Sequence, residues 1–332
     1  MDTERCRSVV DISGVKVGHA TDGEALTGCT ALLFPQGAVT GHAEAGVATG
    51  SRELSALSPR HLVRKIHGIC LSGGSAFGLA AASGLVRRLE EAGAGHKTSF
   101  GRVPIVPAAV VYDLNLGSSD VRPGEQMGWQ AADAALGHEP AASGNVGAGT
   151  GVCAGKLLGP RCATKTGLGN AGVTTPEGIR VAALAVVNPV GDVLLPHGGG
   201  ILAGARAAPD SDTLVGTSDA IRAGSRCAPL HHNTTLCVVA TNVTLNKVEA
   251  AWLAEQGVAG LARVLDPPFT RHDGDIVFAA SLGGWDPPDQ EVTLHRLAVL
   301  CRDVISAAIL DGCDSAAPAG GLPSCHNLKQ PK

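Results

Sequence analysis

The chain has 332 residues, 44% of them hydrophobic and 17% charged, which describes a globular protein with a sizeable core and excludes a disordered one. A formal net charge of −4, no basic block and only 3% aromatic residues leave neither the electrostatic footprint nor the stacking platforms that nucleic-acid binding needs. No apolar run is long enough to span a bilayer, and MDTERCRSVVDISGV lacks the layout of a signal peptide, so a cytoplasmic protein with no membrane partner is expected.

In chain order, Val9 to Gly18 reads as strand and turn. Leu54 to His67 reads as a helix opening near Ser58 and Pro59, with the proline in its first turn. Ile69 to Ser72 is a short buried strand. Ser75 to Ala92 is a helix, with Phe77, Leu85, Val86 and Leu89 as its apolar stripe and Arg87, Arg88, Glu90 and Glu91 as its wet face. Val103 to Leu114 is apolar but interrupted by Pro104 and Pro107, as suits an edge or irregular strand. Gly124 to Leu136 is helical. Three β-like stretches follow, Ile179 to Asn188, Thr234 to Thr244 and Asp275 to Leu282, together with helices over Lys247 to Val264 and Val292 to Leu310. This alternation, with no shift in composition, predicts one layered α/β domain over residues 1–332. With so few aromatics the core must be built from Ala, Val, Leu and Ile. The 45 glycines mark tight turns and close backbone approaches. The 10 cysteines form no C-x-x-C pair, and Cys70, Cys237 and Cys301 lie inside apolar runs as small hydrophobes.

Several motifs invite chemistry, and most have a plainer explanation. Gly144 to Gly151, running on to Lys156, looks like a phosphate cradle. Thr150 stands where the Walker pattern needs its first Gly, Leu157 follows the lysine, and Val152 replaces the last Gly of the dinucleotide fingerprint. Gly73-Gly74-Ser75-Ala76-Phe77 has the context of a nucleophile elbow but Phe77 in place of the second Gly, so Ser75 reads as a helix N-cap. The 12 histidines contain no metal-binding spacing, and the adjacent His231 and His232 point different ways on a regular element. Neither a metal nor an organic cofactor is called for.

His231-His232-Asn233-Thr234-Thr235-Leu236-Cys237-Val238 is more informative. Its plain reading is a buried strand after a polar turn, and Asn233-Thr234-Thr235 also fits a glycosylation sequon, discounted without a secretion signal. A threonine nucleophile needs a base beside it, which an internal residue lacks. Thr234 made N-terminal by cleavage would carry its own amine, with a reference pKa of about 7.7–8.0. Arg271-His272-Asp273-Gly274-Asp275 reads as a turn before a strand, or as two carboxylates on one face of an extended segment, able to orient a hydroxyl and an amine.

With these segments in place the chain resembles the L-aminopeptidase/D-esterase family of self-processing hydrolases, and within it the nylon-oligomer hydrolase branch with a Thr nucleophile. The likeness runs in order through Val10-Asp11-Ile12-Ser13-Gly14-Val15-Lys16-Val17-Gly18-His19, Gly46 to Glu53, Leu71 to Gly78, Gly147 to Gly151, Val186-Val187-Asn188, Asn233 to Leu236 and Asp273-Gly274-Asp275. The resemblance implies a four-layer αββα sandwich. It also implies cleavage between Asn233 and Thr234 into chains 1–233 and 234–332, and a homo-oligomer, typically a tetramer of processed pairs. Thr234 would be the nucleophile, first in an N-to-O acyl shift onto Asn233 and then toward small amide or peptide substrates. Asn188 would act near the nucleophile or oxyanion, Tyr112 at the oxyanion or substrate, and Asp273 and Asp275 would orient amine and hydroxyl. Lys156 would lower the amine pKa, with Lys165 a competing choice. Pro189, which follows Asn188, and the family's frequent Ser nucleophile are departures. Two other readings stand beside this one: an unprocessed ligand-binding relative, and an acyltransferase of the ornithine-acetyltransferase type.

Overall fold

A single 18-residue strand, which the periodicity does not announce, organises the molecule. In the computed structural model, which describes residues 6–138, 140–225 and 233–328, β1 is Lys16–Asp22 and β2 is Thr27–Glu44. The first half of β2 pairs antiparallel with β1 and with β3 (Ile66–Ser72), and its second half with a strand from the far end of the chain. The register slips between Leu33 and Ala38, where Pro35 and Gly37 interrupt the alternation. That punctuation makes one bent strand look like two short segments and a turn.

The remaining major elements are α1 (Ala81–Glu91), β4 (Ala108–Val110), α2 (Glu125–Leu136), β5 (Leu168–Thr174), β6 (Arg180–Val186), β7 (Leu236–Val243), α3 (Lys247–Ala262), β8 (Ile276–Trp285) and α4 (Gln290–Asp314). One sheet runs β5-β6-β7-β8-β2, and the other continues from β2 through β3 and β4 to the two-residue strand Ser51–Arg52. The β7–β8 and β3–β4 pairs are parallel, and their neighbours are antiparallel.

Alternating side chains sort these strands into layers. Leu184, Val186, Leu236, Val238, Ile276 and Phe278 face Leu32, Phe34, Ile69 and Leu71 across the gap between the sheets. The intervening residues Ala183, Cys237, Val239 and Val277 pack on Leu253 and Leu261 of α3 and on Leu297, Ile305 and Ile309 of α4. On the other face Ala31, Leu33 and Cys70 meet Leu85 and Leu89 of α1 and Ala131 and Ala135 of α2. The result is a four-layer αββα sandwich, as the resemblance implies. Such a small-residue core works because the helices lie almost on the strands: a Cβ on Gly41 of β2 would stand 2.2 Å from the backbone nitrogen of Ala251 in α3. Helix entry is set by side chains. Asn246 caps α3 by accepting from Val248 N and Glu249 N, and Asp289 caps α4 by accepting from Val292 N.

Four elements differ from expectation. Leu54 to His67 is not a helix: only Leu54–Leu57 makes a 3₁₀ turn, and β3 already begins at Ile66. Pro59 holds Ser58 extended (ψ 137°). The buried ammonium of Lys247 also takes the carbonyls of Ala56, Ser58 and Val63, which a helix would use itself. Ser75 is not an N-cap but the first residue of a 3₁₀ turn, Ser75–Ala80, at φ 52° behind Gly74 at φ 79°. The α-helix starts only at Ala81, which leaves Phe77 57% exposed instead of in the buried stripe. Val9 to Gly18 splits into a 3₁₀ turn, Val9–Asp11, and the start of β1. In Val103 to Leu114 the strand residues Ala108–Val110 are fully interior, and Pro104 and Pro107 fall outside them.

Candidate active site

The register of the second sheet assembles the site. β7 and β8 run parallel with Leu236 beside Ile276, so the segments entering them, residues 233–235 and 273–275, lie side by side. β6 ends antiparallel to β7 with Val186 opposite Leu236, which delivers Asn188 to the same edge. Lys156 arrives on a segment whose backbone pairs with residues 190 and 191, and Tyr112 follows β4 of the other sheet. The cluster therefore sits where the strand ends of both sheets meet.

Thr234 is 3% exposed and lines a cavity of about 140 Å³ together with Thr49, Gly50, Ser75, Val110 and Tyr112. No charged side chain is among the residues lining it. The Thr234 hydroxyl donates to the carbonyl oxygen of Asn233 at 2.5 Å, and Gly274 N donates to the same oxygen at 2.7 Å. Thr234 N donates to the main-chain carbonyl of Asn188 at 3.1 Å. Both ends of the Asn233–Thr234 peptide are thus held by the protein.

Asn188 is the hub. Its main-chain oxygen also accepts from Lys156 Nζ at 3.0 Å, and its side-chain Oδ1 accepts from Lys156 Nζ at 2.8 Å and from Cys153 N. Its Nδ2 donates to the carbonyl of Tyr112. Lys156 spends its third donor on Pro189 O at 3.1 Å. Burial lowers the Lys156 pKa, while Cys153, Asp273 and Asp275 pull it back up. Lys165 points elsewhere, to Asn145 Oδ1, Gly149 O and Thr166 O. Of the two competing lysines, the structure brings Lys156 to Asn188 and Thr234.

The two acids differ in kind. Asp273 accepts from Val190 N, Thr270 N and the Thr270 hydroxyl, so it staples the turn before β8. Asp275 accepts from Thr235 N at 2.6 Å through Oδ1, and its Oδ2 is buried without a partner. Burial, reinforced by the nearby Asp273 charge, pushes its pKa well above the usual carboxylate range. The six residues named from the sequence, Tyr112, Lys156, Asn188, Thr234, Asp273 and Asp275, lie in one cluster with Asn233.

Two contributors escaped the sequence reading. Asp113, 2% exposed, accepts from Gly74 N at 2.7 Å and from the Thr27 hydroxyl at 2.6 Å, fixing the turn that presents Ser75 to the cavity. A single acid inside the apolar run ending at Leu114 was the available signal. Gly274 was read only as a turn residue. The Gly144 to Gly151 stretch has a structural explanation: Gly147 N and Ala148 N are spent on Thr21 and Thr30. The nine cysteines among the described residues are buried and unpaired, whereas His231 and His232 lie outside the described residues.

A buried threonine and two acids stand at the mouths of two parallel strands of an αββα sandwich, the architecture of the Ntn-hydrolase fold. The L-aminopeptidase D-Ala-esterase/amidase of Ochrobactrum anthropi, described as a new variant among the Ntn hydrolase fold, superposes with a TM-score of 0.71 at 18% identity, covering 98% of this chain and 91% of its own. A Burkholderia sp. beta-aminopeptidase does so with a TM-score of 0.69 at 19% identity, covering 96% and 90%. The chain belongs to peptidase family S58, whose model matches residues 7–323, and it is a hydrolase acting on amide bonds. An uncharacterized aminopeptidase of Mycobacterium leprae is 39% identical over 96% of this chain and 92% of its own length. A 6-aminohexanoate-oligomer endohydrolase of Kocuria sp. is 32% identical over 91% and 84%. No helix among the described residues is long and apolar enough to cross a membrane.

Proposed function

We propose that this hydrolase cuts itself between Asn233 and Thr234 and then uses Thr234 as an N-terminal nucleophile on amide bonds. The observation that carries the reading is the Thr234 hydroxyl lying 2.5 Å from the carbonyl oxygen of its own peptide bond, buried, with that bond gripped at both ends. In self-cleavage the Thr234 Oγ–C(Asn233) bond forms, the C–N bond breaks, and the hydroxyl proton ends on the nitrogen. Water then splits the ester, leaving the Asn233 carboxyl group and a free Thr234. In turnover the new α-amine takes the hydroxyl proton, the substrate acyl group is transferred to Oγ, and water releases it. Lys156, beside the amine, favours its free-base form, and Tyr112 faces the cavity where the substrate carbonyl would sit.

The small cavity, with no charged group in its lining, fits a short uncharged acyl segment. That supports small peptides, amino-acid amides or short amide oligomers as substrates, in line with the aminopeptidase and oligomer-endohydrolase names of the relatives. A cytoplasmic homo-oligomer of processed pairs belongs to the same proposal. The test is intact mass with N-terminal sequencing. A new terminus reading Thr-Thr-Leu-Cys-Val is expected, and Thr234→Ala should give only full-length chain without amidase activity. Normal processing of that variant would assign the nucleophile elsewhere.

A further inference from the structure

The Asn233 carbonyl oxygen has two donors, and only one of them can stay through self-cleavage. Thr234 Oγ must turn from the oxygen to the carbon to attack it. Gly274 N, at 2.7 Å, belongs to another segment and has no reason to move. We infer that the backbone N–H of Gly274 is the oxyanion donor of the self-cleavage step, a catalytic group supplied by a residue without a side chain. The inference rests on the proposed cleavage at Asn233–Thr234.

Three features preorganise this N–H. First, the donor is fixed from one side by the short parallel ladder Asn233 N to His272 O (2.7 Å), Gly274 N to Asn233 O and Ile276 N to Thr235 O. Second, it is fixed from the other side by residues 45–48: Ala48 N bonds Asp273 O at 3.0 Å and Ala45 N bonds Asp275 O at 2.9 Å. Third, only glycine permits the approach, because a Cβ on Gly274 would stand 2.6 Å from Ala48 O and 2.9 Å from Thr234 Oγ. Attack converts the Asn233 carbonyl into a tetrahedral centre whose oxygen carries the negative charge. That oxygen remains bonded to Gly274 N while Thr234 N, held on Asn188 O, takes up the hydroxyl proton beside its own and departs as an amine. A fixed dipole aimed at a developing charge in a buried site stabilises the transition state without reorganisation.

The experiment replaces the residue-274 amide by an ester, incorporating glycolic acid at Gly274 in the full-length chain. The change removes the N–H and adds no side chain. Conversion to the 1–233 and 234–332 fragments is followed by mass spectrometry, and a slowing of about 100-fold or more is expected, the usual loss for one oxyanion donor. Conversion at the wild-type rate would overturn the assignment. In uncleaved Thr234→Ala protein, a scalar coupling across the hydrogen bond between Gly274 ¹⁵N and Asn233 ¹³C is expected, and its absence would also overturn it. A wild-type chain that never cleaves would sink the cleavage reading itself. A cleaving wild type beside an equally fast ester variant would sink only the role of Gly274.

Discussion

Lys156→Met is the most discriminating change at this site. Thr234 N and Lys156 Nζ donate to one oxygen, Asn188 O, at 3.1 and 3.0 Å, so the two nitrogens are within about 6 Å of each other. The three acceptors around Nζ match the three donors of an ammonium. At an effective dielectric constant of about 20, a positive charge at about 6 Å disfavours protonation of the mature Thr234 amine by about 3 kcal/mol, or about 2 pKa units. An N-terminal amine otherwise near 7.7–8.0 would then be mostly free base at neutral pH. Methionine preserves length and apolar bulk but removes the charge. Measured on matured protein across pH 5 to 10, the acid limb of kcat/KM should move up by about 2 units in the variant. Activity should fall about tenfold at pH 7 and converge toward wild type above pH 9. A uniform loss at every pH, with the limb in place, would mean that Lys156 acts only by holding Asn188, and the electrostatic argument would be refuted.

Other perturbations test neighbouring parts of the structure. Burial brings Lys165 down from 10.5 to about 8. The folded state therefore disfavours the charged form, the penalty is complete below pH 8, and stability rises as pH climbs from 8 to 10.5. Urea unfolding should show this group adding up to about 3 kcal/mol over that window, and Lys165→Met should remove the slope relative to wild type. The raised pKa of Asp275 means that its contribution to stability is lost as pH rises above the ordinary carboxylate value. Asp275→Asn keeps an acceptor for Thr235 N, so its Tm at pH 7 should match or exceed wild type while processing or amidase activity falls; a lower Tm would show that the charged acid is the stable form. Gly41→Ala drives a methyl group into the α3 backbone, 2.2 Å from Ala251 N, and should cost about 3 kcal/mol, read as a lower denaturant midpoint at unchanged slope.

Much of the second half of the fold was legible because its signals are local. β6, β7 and β8 are apolar runs near the expected boundaries, and α3 and α4 carry caps that the side chains announce. β2 was not legible, because its bend consumes Pro35 and Gly37, residues that locally read as a turn. The missing helix over Leu54 to His67 fails for a non-local reason: Lys247, nearly two hundred residues away, claims its carbonyls. For the candidate site, Thr234, Asn188 and the acids were named from ordered motifs, and the structure brings them together. Choosing between Lys156 and Lys165 required the pairing of residues 155 and 156 with 190 and 191, which no spacing encodes. Asp113 had one signal, a lone acid in an apolar run, whereas Gly274 enters the site through its backbone N–H, which has no residue-type signature.

The polar accounting of the site bears on why cleavage would be favourable here. Two buried atoms lack partners beside the scissile bond: Asp275 Oδ2 and Thr235 Oγ1, carried by residues already joined through Thr235 N. Each such atom costs about 1–3 kcal/mol in an intact chain. Hydrolysis of the Asn233–Thr234 bond turns an amide nitrogen with one N–H into an amine with at least two, beside the buried Asp275 carboxyl group. The same event frees the hydroxyl from the carbonyl it is bonded to. An uncut chain therefore holds two unpartnered buried oxygens beside a bond whose cleavage adds an N–H donor. On this reading, cleavage of the precursor and activity of the product draw on one arrangement of Thr234, Asp275 and Asn188.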